Sequence, residues 1–183
     1  QWKYARFGRA AVAPGQRSFR YRVTDELGEP AIDRDVPGSP VAQLPGEFLQ
    51  YVMASKFCEA ERLFALGVRE CGQMPRGYRR VQAICQWIRD NIAYEVGTSS
   101  PSTTARDVLA IRAGVCRAFS HLAIALCRAF NIPARIFTGY ARYSHPHPDI
   151  HAMYATYLIT PCDLFALSLL SPLNNTLLAA PLR

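Results

Sequence analysis

The chain has 183 residues, half of them hydrophobic and 19% charged, a globular composition long enough for one domain with a sizeable core. Its net charge of +7 is unevenly spread: residues 1–22 carry six basic groups and no acid, whereas residues 23–61 carry eight acids against two bases. No basic face interleaved with aromatics is evident, no run is long enough to span a membrane, and no signal peptide opens the sequence, so neither nucleic acid nor membrane is an expected partner.

Residues 1–44 are the least regular. Ser18 to Val23 alternates polar and apolar and predicts one strand, and the Pro- and Gly-containing stretch Gly28 to Pro45 reads as a linker or extended arm. Residues 1–45 are therefore expected to be an N-terminal arm or the remnant of an upstream β region, with the core domain at 46–183. Phe48, Leu49 and Val52 predict a short helix ending near Ser55, and a second runs from Glu59 to Glu70. The stretch from Gly72 to Gly77, with Pro75, breaks it. A third helix covers Tyr78 to Asn91, where Val81, Ile84, Cys85, Ile88 and Ile92 form an apolar stripe and Cys85 is packing.

Ala93 to Val96 leaves the helix. Ser99-Ser100-Pro101-Ser102 is turn chemistry, and Ser102 is the expected N-cap of a short helix through Ile111, Asp107 coming too late to cap it. Gly114 then supplies a turn into the central helix, which starts at Cys116 and is stopped by Asn131-Ile132-Pro133. Arg117, His121 and Arg128 share one side, expected to meet solvent or a cleft, with His121 a surface residue. Ala134 to Ala141, His151 to Leu158 and Leu164 to Leu170 predict strands, and Ser144 to Pro148 a loop. His145 and His147, separated by proline and lacking a third ligand, make a poor metal site. Helices first and strands last predict an α+β fold, an antiparallel sheet on a central helix.

Six cysteines at irregular spacings form no CxxC pair, which argues against zinc and for reduced thiols in a cytoplasmic protein. One of them is placed differently. Cys116 sits in the first turn of the central helix, where unpaired N–H groups and the helix dipole favour an anion, so its thiol loses a proton more easily. The other reading is that it is one more buried small hydrophobe. His151, 35 residues on at a strand start, is a possible base for a cysteine nucleophile.

Several motifs in order carry a resemblance. Gly114-Val115-Cys116-Arg117, the run Phe119 to Cys127, Ile132-Pro133-Ala134-Arg135, Gly139-Tyr140 and Asp149-Ile150-His151-Ala152 are similar to the core of the bacterial transglutaminase-like family. Val81 to Tyr94 and Ser102 to Arg112 resemble it too, so the match spans about Met74 to Leu158. The resemblance implies a papain-like α+β fold and a Cys-His-Asp triad for acyl transfer: thiol attack on an amide, an acyl-enzyme, release to an amine or water. It implies Cys116 as nucleophile, His151 as base and the Cys116 backbone N–H as part of the oxyanion hole. Tyr94 can donate to the same oxyanion, although a buried aromatic is the expected role.

Three positions depart from the family. An acid is usual two residues after the cysteine, where Ala118 stands, and an acidic or polar residue four after the histidine, where Ala155 stands. The third triad member, usually an Asp-Pro pair, falls on Ala166-Leu167, and Asp163 is the acid nearby, at an offset that turns it to the other strand face unless a bulge intervenes. Two readings follow: a thiol-dependent hydrolase or acyltransferase acting on a peptide or protein amide, or a catalytically inactive scaffold that binds peptides or partners. No cofactor is expected, and with no acidic cluster for calcium, no metal. The substrate, the acceptor and the oligomeric state are not specified by the residues.

Overall fold

The computed structural model describes residues 15, 35–140, 150–158, 164–167 and 178–179. The expected strand at 18–23, the loop at 144–148 with its two histidines, and Asp163 lie outside these residues.

The helices form where apolar residues recur every three or four positions. Helix α1, Ala60–Cys71, buries Ala60, Leu63, Gly67 and Cys71; α2, Tyr78–Asn91, buries Tyr78, Val81, Ile84, Cys85 and Ile88. The α2 stripe is the one read from the sequence; in α1, of the expected apolar set Leu63, Leu66 and Val68, Leu63 is buried and Val68 is exposed. The short helix expected from Phe48 to Ser55 is instead a 3₁₀ segment, Gly46–Tyr51, preceded by another at Val41–Gln43. Phe48 lays its ring 4.2 Å from that of Tyr157.

Helix α3, Ala105–Ile111, corrects the capping prediction. Its N-cap is Thr104, whose hydroxyl accepts from the Asp107 N–H at 3.3 Å, while the Asp107 carboxylate accepts from the Thr104 N–H at 2.8 Å. Asp107 thus completes a capping box from the third helical position. Ser102 belongs to the turn before it, its hydroxyl 2.8 Å from that of Ser100.

Helix α4, Cys116–Ala129, is the axis of the fold, and every residue from Ala118 to Cys127 is buried. Helices α1, α2 and α3 pack around it, and strands β3, Ala134–Tyr140, and β4, Ile150–Tyr157, cover its remaining side. Leu122, Ile124 and Leu126 are essentially sealed from water, each worth about 1.5–3 kcal/mol of transfer free energy. The helix ends in a Schellman turn: Ile132 N–H donates to the Cys127 carbonyl at 2.9 Å, Asn131 N–H to Arg128 at 2.9 Å, and Asn131 is left-handed at φ 57°. Pro133 then forbids further turns.

The sheet runs β3-β4-β5-β6, all antiparallel, with β5 at Leu164–Leu167 and β6 at Leu178–Ala179. Gly139 pairs with His151, Ala155 with Ala166, and Tyr157 with Leu164. The α+β class and the central helix on an antiparallel sheet are as expected. Two-residue strands β1, Ala93–Tyr94, and β2, Ala113–Gly114, form a separate parallel pair.

Candidate active site

Cys116 is the first residue of α4, after an extended Val115. Its thiol is partly exposed, whereas the free thiols of Cys58, Cys71, Cys85 and Cys127 are all buried. Burial pushes the Cys85 thiol up to about 11, despite its 2.7 Å contact with the Tyr154 hydroxyl, and burial raises the Cys127 thiol as well. Those two stay protonated at neutral pH and serve as packing. The reading of Cys116 as just another buried hydrophobe does not fit its exposure.

The chain reaches Cys116 through β2. Ala93 pairs with Ala113 and Tyr94 with Gly114, and the Glu95 N–H donates to the Gly114 carbonyl at 3.0 Å. Gly114 precedes the helix as read from the sequence, but the left-handed residue of the turn is Arg112, at φ 59°. Gly114 is needed for space instead. A Cβ there would lie 2.6 Å from the Ala118 Cβ, so only glycine lets β2 rest on the first turn of α4. Ala118 itself is 1% exposed.

The other wall is β4. The Ser120 hydroxyl, one turn along α4 from Cys116, donates to the Ala152 carbonyl at 3.2 Å. Ala152 follows His151, so this bond sets the His151 backbone on the strand that runs beside the opening turns of α4. The motif spacing passed over Ser120, though its position four residues after Cys116 already placed it on the same helix face.

Tyr94 is 48% exposed, which corrects the expectation of a buried aromatic, and its ring stands edge-on to Phe119 with centroids 6.0 Å apart. Arg117 reaches sideways, donating to the Ser100 carbonyl at 2.8 Å and fastening the 96–103 loop beside Cys116. His121 is not a surface residue. It is 7% exposed, stacks on Phe57 at 5.2 Å, and its Nδ1 lies 3.2 Å from the Thr103 carbonyl. Burial holds its imidazole below the usual histidine range, the Arg117 charge adds to this, and the Thr103 contact opposes it. Arg128 is likewise covered, bonding the carbonyls of Ala134 at 2.8 Å and Met53 at 2.9 Å. The polar side of α4 thus meets loops 53–57 and 100–104 rather than water.

No acid occupies the three positions where one is usual. Ala118 and Ala155 are buried, and Ala166 is paired with Ala155. Leu164, the neighbour of Asp163, pairs with Tyr157, six residues along β4 from His151, or about 20 Å of strand. Among the described residues, no group of three or more His, Cys, Asp or Glu is placed to hold a metal ion.

A partly exposed cysteine at a helix N-terminus, flanked by a strand that bears a histidine, is the arrangement a thiol nucleophile needs. The family model described as the transglutaminase-like superfamily matches residues 67–163, more than half of the chain. The chain belongs to the transglutaminase-like superfamily. Its fold superposes on a candidate cysteine protease from Cytophaga hutchinsonii with a TM-score of 0.70 and 39% identity, over 79% of this chain and 50% of that one. It also superposes on the periplasmic domain of TgpA from Pseudomonas aeruginosa bound to ethylmercury, with a TM-score of 0.53 and 18% identity, over 70% of this chain and 50% of that one. The chain therefore spans about half the length of both solved structures. No curated protein matches it. Membership of the transglutaminase-like superfamily agrees with the resemblance read from the motifs and supports thiol-dependent activity in general. Among the described residues, no helix is long and apolar enough to cross a membrane.

Proposed function

We propose that this protein catalyses thiol-dependent acyl transfer or hydrolysis at peptide or isopeptide amides, with Cys116 as nucleophile and His151 as base. The observation that carries this is the placement of a partly exposed Cys116 at the start of α4 while Ser120, one turn on, binds the residue after His151. The Cys116 sulfur attacks the amide carbonyl carbon, and the developing oxyanion is met by the Cys116 backbone N–H, with Tyr94 a second donor. The imidazolium then gives its proton to the departing amine, leaving a thioester. Water or a second amine attacks that thioester, the histidine takes its proton, and the thiol is regenerated. The carboxylate that would hold the imidazole is Asp163 in this proposal only if the chain before Leu164 folds back along β4. A thiolate–imidazolium pair forms without it. Free, buried thiols suit a reducing compartment, and a cytoplasmic site of action is part of the proposal.

The test is alkylation of the intact protein by iodoacetamide, mapped by peptide mass. Cys116 should react first, and His151→Ala should slow it severalfold. Equal rates in the two proteins would refute the pair. The alanines at 118, 155 and 166 favour a second reading, a scaffold that binds peptides without cleaving them. It predicts peptide binding that Cys116→Ala leaves intact, with no Cys116 selectivity in alkylation.

A further inference from the structure

The far end of α4 holds a cavity of about 80 Å³. It is lined by Arg76 from the turn before α2, by Arg80 from the first turn of α2, by Phe130 and Asn131 at the end of α4, and by Ser39 of the arm. Cys116 and Phe130 sit at opposite ends of α4, about 20 Å apart at 1.5 Å per residue, so this is not the thiol site.

Arg80 is fixed in place. Its Nε donates to the Met74 carbonyl at 3.2 Å, its terminal amine to the Gly72 carbonyl at 3.1 Å, and its guanidinium carbon lies 4.6 Å from the Phe130 ring centre. Arg76 stands close enough that its charge, after burial, lowers the proton affinity of Arg80. Neither has a carboxylate. Among the described residues the ion pairs are Arg69–Glu70 and Arg79–Asp35. Two cations lining one cavity, Arg80 fixed and Arg76 exposed, with no carboxylate between them, repel one another unless a ligand neutralises both. The positive end of the α2 dipole adds to the same field.

We propose that the Arg76–Arg80 cavity binds a phosphate-type dianion, free or as a phosphomonoester. Two guanidiniums match the oxygens of a tetrahedral dianion, the geometry for which arginine is the preferred partner. The Phe130 ring holds the Arg80 plane in position before the ligand arrives, which limits the entropy cost of binding.

The test is calorimetric titration of the full chain with inorganic phosphate and with phenyl phosphate, at constant ionic strength. Saturable binding by either supports the site, and the tighter of the two names its source. Arg76→Gln, at an exposed residue, should weaken binding roughly tenfold or more. Arg79→Gln, one residue before Arg80 but already paired with Asp35, should leave it unchanged. Thermal melts confirm that both variants fold. Absence of saturation, or equal weakening by both variants, would overturn the proposal. Cys116→Ala should bind phosphate normally, so a failed thiol mechanism would leave this site standing.

Discussion

Gly114→Ala probes how β2 is pressed onto the helix that carries Cys116. The added methyl would lie 2.6 Å from the Ala118 Cβ, against about 3.5–4.0 Å for a relaxed carbon–carbon contact. Neither carbon can swing away, since both are first atoms on backbone held by strand pairing on one side and by buried helix on the other. Relief must come from moving β2 off α4, and overpacking of this kind costs about 1–3 kcal/mol. Backbone strain adds nothing, because among the described residues the glycines with positive φ are Gly15, Gly77 and Gly97, not Gly114. For a chain of this size, each kcal/mol lowers Tm by about 2–4 °C. Ala118→Gly alone should cost roughly 1–2 kcal/mol, from glycine in a helix and a lost buried methyl. In the double variant the methyl at 114 enters the space vacated at 118. Its cost should fall short of the summed single costs by at least about 1 kcal/mol. Urea midpoints of the wild type, both singles and the double close the cycle, and strictly additive costs would refute the steric account. Gly114→Ala should also shift the alkylation rate of Cys116, which the double variant restores.

Thr104→Ala should destabilise by about 1 kcal/mol through loss of the capping box, with Ser102→Ala close to neutral, read from urea midpoints. His121 is held below its unfolded pKa, so the unfolded chain takes up the proton first as the medium acidifies. Stability should be flat above about pH 6.5 and fall as pH drops below it, and His121→Gln should flatten that slope in pH-dependent urea melts. Asp163→Asn should leave Cys116 alkylation at the wild-type rate, because its neighbour Leu164 is paired far along β4 from His151. A marked loss would mean that the preceding chain folds back toward the histidine.

Much of this architecture could be read in advance. The limits of α2 follow from the stripe Val81, Ile84, Cys85 and Ile88 and from the Pro75–Gly77 break, and α4 follows from an apolar run closed by Pro133. What escaped was set by neighbours distant in sequence. Helical spacing puts Arg117, His121 and Arg128 on one side but cannot show that Phe57 and the Thr103 carbonyl cover it. Five hydroxyl residues between 99 and 104 precede α3, and the cap falls to Thr104, the one whose side chain meets the Asp107 N–H. Strands of two residues, as in β1 and β2, are too short to show any period. Cys116 and His151 stood out by motif, whereas Ser120 and Arg117, which hold the surrounding walls, looked like ordinary helix residues.

The arm before α1 is tied to the end of β4. Both the backbone N–H and the hydroxyl of Ser39 donate to the Leu158 carbonyl, 119 residues away, and the Tyr78 N–H donates to Val36 at 3.0 Å. During synthesis Ser39 is made before α1, α2 and α4, and its acceptor Leu158 after them. Closing so long a loop is entropically unfavourable until those helices have brought its ends together. The arm is thus a clasp on a finished core: a segment synthesised before the helices finds its place only after them.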